Sequence, residues 1–170
     1  QNFYVYDGKL NVFPHFSNTI FSITPDSTTQ RYHFYFGDYH FPDDEIFQKK
    51  EYNSQAIMSE IMNNSYVRLM APYETDEHLL VKYYVKRQVL LGIYNKKKHT
   101  AINLDPEMVI DSLHLGTFPV PIGFNHNEFI GQLTLDIQQK NRIMIPELQK
   151  LMADYSEDSN PILIFYSLRS

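Results

Sequence analysis

YVRLMAPYETDEHLLVKYYVKRQVLLGIYNKKKHTAINL, residues 66–104, holds four strand-like runs in succession. They are Tyr66 to Ala71, His78 to Val85, Gln88 to Tyr94 and His99 to Leu104, separated by polar turns at Tyr73 to Glu77, Lys86-Arg87 and Asn95 to Lys98. Leu79, Val81, Tyr83 and Val85 alternate along the second run and share one face, as Val89, Leu91 and Ile93 do along the third. Neighbouring strands joined by turns this short pair antiparallel. The expectation is a four-stranded up-and-down meander of about 40 residues, the size of one propeller blade.

The pattern continues on both sides. Upstream, Phe3 to Tyr6 and Lys9 to Phe13 flank Asp7-Gly8, a dipeptide suited to a type I′ turn because both positions want φ > 0. A third run, Thr19 to Thr24, ends at the turn signal Pro25-Asp26-Ser27. A fourth lies in RYHFYFGDYHFPDDE, residues 31–45, with Tyr32, Phe34 and Phe36 on one face and Arg31, His33 and Tyr35 on the other, until Gly37 ends it. Between the two groups, Ile57, Met58, Ile61 and Met62 predict a short helix over Ser54 to Met62. Downstream come a loop rich in Pro and Gly from Asp105 to Asn127 and a strand from Phe129 to Leu135. A helix led by Pro146 carries Leu148, Leu151, Met152 and Tyr155 on one stripe, and Pro161 to Leu168 is a last strand. The reading is a single domain over 1–170. It is mainly β, with antiparallel strand groups at about 2–36, 66–104 and 113–168, a weak repeat, and two short helical insertions.

Composition agrees. The 25 rings (13 Tyr, 12 Phe, no Trp) suit a pleated, half-buried surface. A net charge of −5 would repel a phosphate backbone, which argues against nucleic acid as a partner. The chain has no cysteine, so disulfides, thiolate metal sites and a Cys nucleophile are excluded. No apolar run approaches the roughly 20 residues of a membrane helix. The chain starts within a strand, at QNFYVYDGKL, and shows no signal peptide; the expectation is a fragment or a processed product.

Three phrases, in order, carry a family resemblance: PHFSNTIFSITPDSTTQRYHFYFGDYHFP (14–42), VKYYVKRQVLLGIYNKKKHTAINL (81–104) and ELQKLMADYSEDSNPILIFYSL (147–168). Together they resemble the C-terminal part of uncharacterised six-bladed β-propeller proteins from Bacteroidetes. The resemblance implies relatives about twice as long, with an export signal that is often of lipoprotein type, placed in the periplasm or at the outer membrane. It carries no catalytic residues. Six blades need about 240 residues, so this chain would supply about three. A second copy, or a missing N-terminal half, would complete the ring and cover the open blade faces.

His33, Asp38, His40, Asp43, Asp44 and Glu45 could gather around a metal, and calcium is the ion an oxygen-rich loop would take. Yet the D-x-D-x-D-G alternation is missing and no zinc spacing is present, so a core strand followed by a solvated acidic loop is preferred, with His40 kept as a ligand contact. In LHLGTFPVPIGFNHNEF, residues 113–129, Phe118, Phe124, His126 and Asn127 could line a sugar- or peptide-binding surface, near His114 and Glu128. The plainer account makes the two rings plugs between blades and His126 an exposed turn residue. There is no G-x-S-x-G elbow, and Asp43-Asp44 and Glu157-Asp158 read as solvated neighbours rather than an acid/base pair. All six glycines are isolated, so no phosphate loop is present.

The expected function is therefore a non-catalytic binding or scaffold module of the cell envelope, gripping a glycan, a peptide or a protein. The alternative is a propeller-type hydrolase or lyase acting on a carbohydrate or lactone.

Overall fold

The computed structural model describes residues 2–14, 17–42, 54–86, 88–105, 118–133, 146–153 and 160–168. Among the described residues, eleven strands, β1 (Phe3–Tyr6), β2 (Lys9–Val12), β3 (Thr19–Ile23), β4 (Thr28–His33), β5 (Arg68–Glu74), β6 (His78–Val85), β7 (Gln88–Asn95), β8 (Thr100–Leu104), β9 (Pro121–Phe124), β10 (Phe129–Leu133) and β11 (Ile162–Tyr166), form three sheets. The orders are β1-β2-β3-β4, β5-β6-β7-β8 and β11-β10-β9, and every register pair recorded is antiparallel. The described residues also include two α-helices, α1 (Ser54–Asn63) and α2 (Pro146–Ala153). The chain is thus mainly β, and its contacts divide into two compact units: Gln1–Pro72 with Val81–Leu90, and Tyr73–Leu80 with Leu91–Ser170.

In the first unit the Asp7-Gly8 turn forms as expected, with φ of 50° and 68°. Tyr4, Asn11, Phe13, Ile20 and Ser22 are buried on one face of the first sheet. The other face leaves Phe3, Val5 and Leu10 exposed, with Val12, Phe21 and Ile23 half-buried in register beside them. The fourth strand differs from its expected span of Arg31 to Phe36. It runs Thr28–His33, because Thr24 and Ser27 close the preceding turn in four residues and the strand begins at once. The register skips Arg31, which sits in a bulge between the Ile20 and Phe21 pairs. Beyond it, the solvated acidic loop of the sequence reading holds a core residue. Gly37, at φ 58°, starts a single 3₁₀ turn to Tyr39, and Phe41 is fully buried against Tyr66, with ring centroids 5.6 Å apart. Asn18 anchors that segment: its Nδ2 donates to the Phe41 carbonyl (2.7 Å) and its Oδ1 accepts the Phe41 N–H (3.3 Å).

On β6, Leu79, Val81, Tyr83 and Val85 are all buried, as the alternation requires; on β7, Leu91 and Ile93 are buried but Val89 is exposed. The second unit is built on Leu80, Leu91, Ile93 and Phe129, with Tyr73, Leu104, Phe118, Val120, Phe124, Tyr166 and Leu168 packed around them. The third sheet contains a strand the sequence reading left as loop, β9. Its inward residues include Phe129 and Tyr166, while Ile122, Leu163 and Phe165 are exposed. Gly131 is required at its place in β10. A Cβ there would lie 2.9 Å from Pro119 Cβ and 3.0 Å from the Pro119 oxygen, which also accepts the Tyr166 hydroxyl at 2.7 Å.

One turn device recurs in all three sheets. The first residue donates its N–H to the carbonyl of the fourth, and its side-chain oxygen accepts the N–H of the fourth. Thr24–Ser27 does this with 2.8 and 3.2 Å, Thr75–His78 with 2.8 and 3.1 Å, and Asn125–Glu128 with 2.9 and 2.9 Å.

Candidate functional site

The second unit gathers three turns. Thr75–His78 joins β5 to β6, Asn95–His99 joins β7 to β8, and Asn125–Glu128 joins β9 to β10. The first and third are tied by a backbone bond from the Asp76 N–H to the His126 carbonyl (2.8 Å), and the His126 Nδ1 lies 3.7 Å from Asp76 Oδ1. Beside them is a recess of about 260 Å³. Its buried floor is His78 and Phe129. Glu77, His126, Asn127 and Ser167 form its more exposed border, and Thr75 and Leu168 complete it. His126, Asn127 and Ser167 also border a wider, open depression with Asn125 and Glu128.

The chemistry of the floor is set from the second turn. Asn95 Oδ1 accepts the N–H groups of Lys97 (3.0 Å) and Lys98 (2.8 Å), so its amide nitrogen faces the other way and donates to His78 Nε2 (3.1 Å). An accepting Nε2 puts the proton of the neutral ring on Nδ1. Burial holds the His78 pKa below the usual histidine value; Lys96 and Lys97 push the same way, and Glu77 opposes them. His78 is therefore a neutral imidazole whose free donor is Nδ1–H.

Beneath the turns, fully buried Glu74 meets Lys96 at 2.7 Å, and the same ammonium donates to the Thr75 carbonyl at 2.6 Å. Glu77 is held by Lys97 at 2.5 Å. The side chains of Asn127 and Ser167 make no hydrogen bond among the described residues. Burial also raises the pKa of Tyr73 and lifts that of Tyr166 far above the usual phenol value, the latter with help from Tyr73, so both stay neutral donors.

The expected site residues separate. His126 and Asn127 lie on the recess. Phe118 and Phe124, both partly buried, pack against the hydrophobic core of the unit, Phe118 edge-on to Tyr166 at 5.7 Å. His40 belongs to the other unit, where its Nε2 is 3.1 Å from Asn18 Nδ2 and its ring leans on His33 and Tyr35. Asp43, Asp44, Glu45, His114, Glu157 and Asp158 lie outside the described residues, and so do the side chains behind the stripes of both helices. Among the described residues, no three His, Cys, Asp or Glu side chains are grouped to hold a metal. None of the helices is long and apolar enough to cross a membrane, again among the described residues. His78 and Ser167 were not picked out from sequence: one stands in an apolar strand and the other at the far end of the chain.

The architecture defines a class: an all-antiparallel β protein of successive small sheets, with a polar recess at clustered hairpin turns. The chain matches, over residues 1–167, the family described as a domain of unknown function (DUF4934), and it belongs to that family. No curated protein matches the sequence. Its fold is similar to that of a crystal structure from Bacteroides fragilis NCTC 9343, a protein provisionally described as exported. The TM-score is 0.80 at 19% identity, over 99% of this chain. This chain spans 50% of that protein's length.

Proposed function

We propose that this chain supplies about three blades of a six-bladed β-propeller, works in the periplasm or at the outer membrane, and binds a glycan, peptide or protein without turning it over. The observation that carries the reading is the run of three successive antiparallel sheets of four, four and three strands, each with the same hydrogen-bonded turn. Two further facts support it. The fold extends over half of a longer protein described as exported, and an exported protein of this kind would meet envelope glycans and peptides. The first and third sheets each leave apolar side chains exposed, as a blade does where its neighbour is missing.

An experimental structure of the intact gene product, together with cell fractionation, tests this. A ring of six four-stranded blades, recovered with the envelope, is the expected result. A sandwich or barrel, or recovery in the cytoplasm, would overturn it.

A further inference from the structure

Three unused polar groups converge on the recess of the second unit: the His78 Nδ1–H, the Asn127 amide and the Ser167 hydroxyl. The ring that carries the first is buried, and its other nitrogen is already taken by Asn95. With that nitrogen taken, Nδ1–H is the group the ring can offer to a molecule in the recess. The surroundings then restrict what can arrive. An anion would face the Glu77 carboxylate at the border and Asp76 in the adjoining turn. A cation would face a floor that offers an N–H, beside a Glu77 charge already matched by Lys97. A neutral ligand meets neither obstacle. The three free groups ask it both to donate and to accept, and Phe129 and Leu168 ask for an apolar face. A volume of about 260 Å³ is below that of sites for drug-sized molecules and suits one small ring.

We infer that the recess between the Thr75–His78 and Asn125–Glu128 turns is a monosaccharide subsite, which takes one neutral pyranose residue of a glycan. Ring hydroxyls both donate and accept, so one of them accepts from His78 Nδ1–H while others bond Asn127 and Ser167. The C–H face of the sugar lies on Leu168 and Phe129. The outer depression bordered by Asn125 and Glu128 gives the rest of a glycan a way out to solvent. This inference deepens the binding-module reading and rests on it.

The test is a titration of the ¹⁵N-labelled 170-residue chain with methyl glycosides of glucose, galactose, mannose and N-acetylglucosamine, followed by NMR. At least one glycoside is expected to give saturable shifts confined to residues 75–78, 125–129 and 167–168, with the His78 ring nitrogens among them. Asn127→Ala and Ser167→Ala change exposed side chains and leave the fold intact. Each is expected to weaken that binding about tenfold, equivalent to about 1.4 kcal/mol. No shift with any glycoside, shifts elsewhere, or unchanged affinity in both variants would overturn the subsite. These failures would leave the blade architecture standing, because that is tested separately by the structure of the intact protein.

Discussion

Replacing Gly131 with alanine puts a methyl group where β10 has no room. The new Cβ would lie 2.9 Å from Pro119 Cβ, 3.0 Å from the Pro119 oxygen and 3.2 Å from Tyr166 Cε1. None of these is the loose end of a flexible side chain. The proline ring is rigid, and its carbonyl cannot withdraw without stretching the 2.7 Å bond from the Tyr166 hydroxyl. Gly131 does not have positive φ, so alanine meets no backbone penalty and the cost is steric alone. Overpacking of this kind costs about 1–3 kcal/mol. The reduced freedom of the unfolded chain returns about 0.4–1 kcal/mol. A net loss of about 1–2 kcal/mol corresponds to a fall in Tm of roughly 2–8 °C for a chain of this size. Gly123→Ala is the control, because its nearest contact is Ile130 Cδ1 at an ordinary 3.7 Å. It should be neutral or slightly stabilising. Thermal and urea unfolding of both variants would measure the difference. A Gly131→Ala protein as stable as the Gly123→Ala protein would refute the packing described for the third sheet.

Three other outcomes follow from the same geometry. Lys96→Met strips the fully buried Glu74 of its ammonium partner and should cost about 3–5 kcal/mol by urea unfolding. Asn18→Ala removes both side-chain bonds to the Phe41 backbone; it should cost about 1–3 kcal/mol and speed amide exchange at Phe41. Because burial lowers the folded-state pKa of His78 below 6.5, the unfolded chain takes up its proton first on acidification. The His78 contribution is therefore complete above that value and falls as pH drops through and below it. Urea midpoints of the parent and His78→Gln proteins, measured from about pH 8 to about pH 5, should show a steeper acid loss in the parent.

Much of the architecture was legible because local signals agreed with tertiary demands. Asp7-Gly8 takes the two positive φ values its turn needs, and the alternation from Leu79 to Val85 matches a buried face. Where the reading missed, a long-range interaction had replaced the local signal. β9 has four residues, starts at Pro121 and contains Gly123, so neither length nor alternation marks it; it exists because β10 pairs with it. The bulge at Arg31 interrupts the alternation from which the fourth strand was drawn. Phe41 stands between histidine and proline beside acids; its backbone bonds to Asn18, 23 residues earlier, and its packing on Tyr66 make it core. The recess was half visible. His126 and Asn127 are neighbours in a turn, but His78 and Ser167 come from far along the chain, and no local spacing joins them.

The most direct measurement is the solution mass of the 170-residue chain by light scattering across a range of concentrations. On the propeller reading proposed above, the sheet faces that expose Phe3, Val5 and Leu10, and Ile122, Leu163 and Phe165, should drive association. The result that reading predicts is a stable species of about twice the 20.1 kDa chain mass, with two copies covering each other's exposed sheet faces. A compact 20.1 kDa monomer that persists at every concentration would contradict it, since such a chain closes its own core.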